Sequence, residues 1–140
     1  MAALSDPFTT LFTWFKAQLP TGAVLELVDD SFIDDLAEAG GSVKNRWFMQ
    51  VRQIETSTND LNTNRATVHL EVGGVWTTTK NLTWTNDIVN KIAAFARDIE
   101  TTEPPSGVDL IQITERVDYA DRFGLTVATV PVRALVHLED

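Results

Sequence analysis

Cysteine is absent from the 140 residues, so disulfide staples and thiolate metal sites are excluded and the redox compartment is left unread. Histidine is scarce: His69 and His137 are the only two, which confines imidazole chemistry to two positions. No window approaches the run of about 18 apolar residues that a membrane span needs. The opening MAALSDPF has no basic segment before an apolar one, so a secretory leader is not expected and the chain reads as intracellular in origin, with no membrane partner. Positive charge is also short. The 11 Lys and Arg stand against 20 Asp and Glu, for a formal net charge of −9, and the cations are dispersed from Lys16 to Arg133. Nucleic-acid affinity is mostly cation–phosphate attraction with counterion release, so a sequence reader of DNA or RNA is not expected. G-x-S-x-G, a phosphate-cradling glycine loop and H-E-x-x-H are all missing; neither enzyme activity nor a cofactor is expected.

What is present fits one soluble domain over residues 1–140. At 44% hydrophobic and 22% charged, the chain can bury one sizeable core and is too short for two. Asp6 followed by Pro7 is a helix-start signal, and Leu4, Phe8, Leu11, Phe12, Phe15 and Leu19 form one stripe of a helix from about Pro7 to Leu19. Trp14 projects about 120° from that stripe, as a core-edge residue or a contact for another subunit. A short strand ends near Val28, and Ser31 caps a brief helix around Phe32 to Glu38. The acidic residues there, Asp29, Asp30, Asp34, Asp35 and Glu38, fail the calcium-loop pattern because Phe32 stands where a ligand is required, which leaves a solvated face. Lys44 to Thr56 is strand-like, with apolar weight on both faces. A second long helix starts at about Thr85 and buries Ile88, Ile92, Phe95, Ala96 and Ile99. VDLIQITERV reads as a strand, DYADRFG as a turn or irregular crossing, and LTVATVPVRALVHLE as a long final strand.

Two details of the strands carry expectations. Gly73-Gly74 has the composition of a two-residue hairpin, which would set Val72 opposite Val75, Glu71 opposite Trp76 and His69 opposite Thr78, placing Trp76 on a polar face. Pro131 lacks a ladder donor, and apolar parity changes from Leu125 and Val127 to Val130, Val132, Ala134 and Val136. The final strand is therefore expected at a sheet edge, or bent or bulged at Pro131. The fold class that reconciles these elements is α+β: a mainly antiparallel sheet of about five or six strands with two amphipathic helices packed on one face.

The most unusual feature is a near-repeat. RATVHLE at Arg65 to Glu71 and RALVHLE at Arg133 to Glu139 share six identities in seven, 68 positions apart. A duplicated unit, a metal or acid/base site built twice, and two strands under one packing constraint would each give such a pair. His69 and Glu71 share a strand face, as do His137 and Glu139, and two adjacent strands could in principle hold zinc. Arg65 and Arg133 stand two residues before each histidine and oppose a cation, so no metal is expected. The pattern is that of two half-buried strands with Arg, His and Glu outward. Whether the strands are neighbours or equivalents in a worn duplication stays open at this stage. Because Trp and Arg are favoured interface anchors, Trp14, Trp76, Arg65, His69, Arg133 and His137 are the candidate partner or subunit contacts.

A small acidic chain with an aromatic N-terminal helix, a β-hairpin meander, a second amphipathic helix, a proline-containing loop and a terminal strand running to the last residues resembles the tail terminator (tail-completion) proteins of long-tailed bacteriophages and gene transfer agents. ADRFGLTVATVPVRALVHLED is the stretch that carries the likeness best. The resemblance implies a structural virion protein, assembled in the host cytoplasm, that forms a ring, a homohexamer, on the finished tail tube. Such a ring stops tube polymerisation and joins the head connector. Its partners would be itself, the tail tube protein and the head–tail connector protein, with DNA passing through unbound. Six copies would carry about −54, which suits a channel to which DNA does not adhere. Another neck or head-completion protein is the nearest alternative, and a small cytoplasmic metal-binding protein or enzyme the more distant one.

Overall fold

The computed structural model describes residues 6–44, 46–56 and 65–138. Helix α1 (Pro7–Gln18) starts as its sequence dictates: Asp6 accepts from the Thr9 backbone N–H at 3.0 Å and from the Thr9 hydroxyl at 2.6 Å, with Pro7 in the first turn. Strand β1 (Val24–Leu27), helix α2 (Phe32–Ala39), strand β2 (Arg46–Thr56) and strand β3 (Arg65–Thr77) follow. Helix α3 (Leu82–Thr101) begins three residues before the expected Thr85, because Asn81 caps it by accepting from the Trp84 N–H at 2.7 Å. Strands β4 (Val108–Ile113), β5 (Asp118–Arg122) and β6 (Leu125–His137) complete the chain.

Six strands form one sheet in the order β1-β2-β3-β6-β4, with β5 also on β6; only β1 and β2 run parallel. This is the expected α+β class. Helices α1 and α3 cover one face, burying Leu11, Trp14, Phe15, Ile88, Ile92, Phe95 and Ile99 against Trp47, Met49, Val68, Leu70, Val72, Val130 and Val132. Trp47 sits at the centre, with ring centroids 5.0 Å from Phe95 and 5.7 Å from Trp76. Helix α2 lies on the other face. There Leu36, Val43, Phe48, Val75, Leu125 and Val127 make a second, smaller cluster.

That second cluster and the strand order correct two expectations. Apolar parity in β6 changes because Leu125 and Val127 face α2 while Ala128, Val130, Val132, Ala134 and Val136 face α1 and α3. No bulge is involved: β3 and β6 pair without a shift from Arg65↔His137 to Thr77↔Leu125. Nor is β6 an edge, since β3 lies on one side and β4 and β5 on the other. Pro131 is tolerated in this central strand because it falls between the ends of β4 and β5. The Pro131 carbonyl accepts from Thr114 N–H on that side at 3.1 Å, so its missing donor points at the break between the two short strands.

Gly73 and Gly74 lie inside β3 and make no turn. A Cβ on Gly73 would collide with the Ala128 carbonyl, and one on Gly74 with the Trp76 ring. The glycines therefore permit close approach of backbone and indole. With the strand unbroken, Trp76 keeps the parity of Leu70 and Val72 and is 2% exposed in the core, which reverses its expected place on the polar face. The two-residue hairpin is elsewhere. Phe123 (φ 54°) and Gly124 (φ 77°) join β5 to β6 with Arg122 opposite Leu125, so DYADRFG is a strand and a turn.

Ser31 does not cap α2 as expected: it makes no side-chain cap hydrogen bond, and its N–H and hydroxyl donate to Asp29 instead. Acid titration tests the α1 cap and this turn. The Thr9 hydroxyl and then its backbone N–H hold Asp6 below the ordinary carboxylate value, and the Ser31 hydroxyl and N–H do the same for Asp29. A depressed folded pKa gives stability that is present above the unfolded value near ~3.9 and lost as pH falls through the folded one. Asp6→Asn, which retains a capping oxygen, is expected to flatten part of the acid limb of thermal melts below the ordinary carboxylate range. An unchanged limb would contradict the cap's role.

Candidate functional site

The half of the sheet face that α2 leaves bare is occupied by the near-repeat. The two heptapeptides are antiparallel neighbours: Arg65 pairs with His137, Thr67 with Leu135 and His69 with Arg133. Thr67 and Leu135 hold equivalent places in the two copies and lie opposite each other, so a local two-fold axis passes between the one pair that differs. Each arginine thus faces the other copy's histidine. Ala66, Val68, Ala134 and Val136 are buried toward the helices, as the alternation required. Glu139 lies outside the described residues.

The outward side chains are knit to the flanking strands. His69 Nε2 is 3.1 Å from Glu55 Oε1 on β2, and His137 Nε2 is 2.8 Å from Asp109 Oδ2 on β4. Arg65 Nε reaches the same Asp109 carboxylate at 3.7 Å. Arg133 donates to Gln112 Oε1 at 2.9 Å. Arg52 bridges Asp30 at 2.7 Å and Glu71 at 2.8 Å; the hydrogen bond to Glu71, reinforced by both carboxylate charges, holds its guanidinium above the ordinary value. These pairs are one-quarter to four-fifths exposed, where single ion pairs contribute at most about 1 kcal/mol each. Their effect is to fix the orientation of a charged surface.

Two bulges build this network. The β2–β3 register shifts between Val51 and Gln53, and the β4–β6 register between Val108 and Leu110. The residues at the two shifts are Arg52 and Asp109, and a bulge re-aims the side chain it carries. Neither residue stood out in the sequence, because a bulge depends on the partner strand and leaves no local pattern. Four of the six candidate contacts, Arg65, His69, Arg133 and His137, are brought together. Trp14 and Trp76 are not. Trp14 is 8% exposed and donates through Nε1 to the Glu103 carbonyl at 2.9 Å, tying α1 to the connection after α3. Both indoles belong to the chain's own core, a correction to their proposed role as partner anchors.

The histidines do not converge. Each meets a separate carboxylate, and among the described residues no group of three or more His, Asp or Glu could hold a metal. No helix among the described residues is long and apolar enough to cross a membrane. No model of a known protein family matches the chain, and no curated protein matches it in sequence.

Proposed function

We propose that this chain is a structural virion subunit that caps the phage tail tube as a ring, ends tail polymerisation and presents the surface that joins the head connector. The observation that carries this reading is the half-face of the sheet that α2 does not cover, where charged side chains are tied to the flanking strands. Arg65, His69, Arg133 and His137 are fixed there on two central strands by Glu55, Asp109 and Gln112, as an extended surface for a protein partner would be. Its mechanism is steric and interfacial, with no bond chemistry. An aromatic first helix, an antiparallel β2–β3 pair, a second long helix and a long last strand support the reading, while the hairpin expected at Gly73-Gly74 is a continuous strand. The net charge of −9 suits a ring through which DNA passes without adhering.

The test is to add the purified chain to polymerising tail tubes and follow tube length by electron microscopy. Growth is expected to stop, with extra density at one end of each tube. Tubes that lengthen as in its absence would overturn the reading, and binding to the portal side alone would favour a neck or head-completion protein instead.

A further inference from the structure

On the half-face that α2 leaves bare, Arg133 is a cation that the chain does not neutralise. Among the described residues it makes no ion pair: Glu55 meets His69, Asp109 meets His137 and Arg65, and Glu71 meets Arg52. Its one hydrogen bond runs from Nη2 to the neutral Gln112 Oε1 at 2.9 Å, and its Nε is buried without an acceptor among the described residues. Arg133 is half-buried and carries a full charge, and a buried N–H left unpaired costs more than a typical hydrogen bond returns. Register places Arg133 in one row with Gln53, His69 and Gln112 across four strands, so that row holds no carboxylate.

The chain itself shows what the Nε and Nη2 edge of a guanidinium takes. Arg46 uses the same two nitrogens on the two oxygens of Glu26, at 2.9 and 3.3 Å. At Arg133 the Gln112 amide offers one oxygen, which leaves the second N–H over. A carboxylate supplies two oxygens and one negative charge, the planar match a guanidinium favours. In the adjacent row Leu110 pairs with Leu135; Leu110 is 37% exposed and Leu135 half-buried. A ligand that meets both features presents a carboxylate beside an apolar group, as a protein surface does. A phosphate backbone fits less well, because one unpaired cation would face it while Glu55 and Asp109 stand on the same face.

We propose that Arg133 receives a carboxylate side chain of a protein partner, which displaces the Gln112 amide and accepts from Nε and Nη2 together, while a neighbouring apolar side chain of the partner covers Leu110 and Leu135. Gln112 lies on β4, which pairs only with β6, so its side chain can swing aside at the sheet edge without breaking a ladder. The proposal names the partner chemistry of the half-face described above; it rests on that face meeting a protein, not on the partner being part of a tail.

The probe is the blocked peptide acetyl-Leu-Glu-Leu-amide, with acetyl-Leu-Gln-Leu-amide, acetate and inorganic phosphate as controls. Each is titrated into isotope-labelled protein and followed by NMR at the Arg133 Nε–H, identified by its loss in Arg133→Lys, and at the Leu135 amide, which serves for the variants. The glutamate peptide is expected to shift both signals and to bind about tenfold or more tighter than the glutamine peptide. Gln112→Glu supplies an internal carboxylate, so its melting temperature should hold or rise while peptide binding weakens about tenfold or more. Arg133→Lys keeps the charge, loses the fork and should weaken binding in the same way. Signals that do not move, an equal response to the glutamine peptide, or binding untouched by Gln112→Glu overturn the site. Acetate or phosphate that binds as tightly as the glutamate peptide overturns the assignment to a protein partner. Peptide binding by a chain that does not cap tubes keeps the site and removes the tail reading; capping by a chain that ignores the peptide removes the site and leaves the tail reading standing.

Discussion

Replacing Gly73 with alanine is expected to lower stability by about 3 kcal/mol or more, a fall in melting temperature on the order of 10 °C. The added Cβ would point at the Ala128 carbonyl of β6, across the ladder in which Gly73 pairs with Thr129 and Gly74 with Ala128. A clash with a side chain is often relieved by a rotamer change. Here the obstacle is backbone in the middle of two 13-residue strands, so relief means separating β3 from β6 along several rungs. Thermal and denaturant unfolding of the variant would measure the loss. A variant that melts within a few degrees of wild type would contradict the close approach of β3 and β6 at Gly73.

The second large effect is expected at Trp47. Its side chain is fully buried and joins the sheet to α3 through Phe95 and to β3 through Trp76. Truncation to alanine removes the largest side chain in the core and leaves a cavity that three surrounding elements can only partly close. A loss of about 3–5 kcal/mol follows. Trp47→Phe should cost less, because it retains a ring against Phe95 and because the Trp47 indole N–H has no hydrogen-bond acceptor among the described residues to be lost with it. Urea unfolding of both variants checks the order. If the alanine variant lost only about 1 kcal/mol, the average for substitutions in general, Trp47 would be peripheral and the helix-covered core would have to be centred elsewhere.

The surface network and the core respond to different changes. Removing Arg52 or Asp109 breaks exposed ion pairs and alters the outer face with little effect on folding, whereas Gly73 and Trp47 act on the sheet itself.

Much of the architecture was legible from local pattern. The Asp6-Pro7 start of α1, the Ile88-Ile92-Phe95-Ile99 stripe of α3 and the alternation of Ala66, Val68 and Leu70 each reflect interactions spanning only a few residues, where periods of 3.6 and 2 reveal which side is buried. Those periods also assigned Arg65, His69, Arg133 and His137 to one outward face. Tertiary pairing decided the rest. A Gly-Gly pair reads equally as a turn or as a site of close approach, and only the β6 backbone and the Trp76 ring, both non-local, choose between them. The parity change in β6 looks like a bulge until α2 is found on the second face, and the true bulges at Arg52 and Asp109 exist only relative to β3 and β6. RATVHLE and RALVHLE established which side of each strand is wet. That they lie against each other, every arginine opposite the other copy's histidine, was settled by strand register, which depends on contacts between residues 64 to 72 apart in sequence and leaves no trace in either heptapeptide alone.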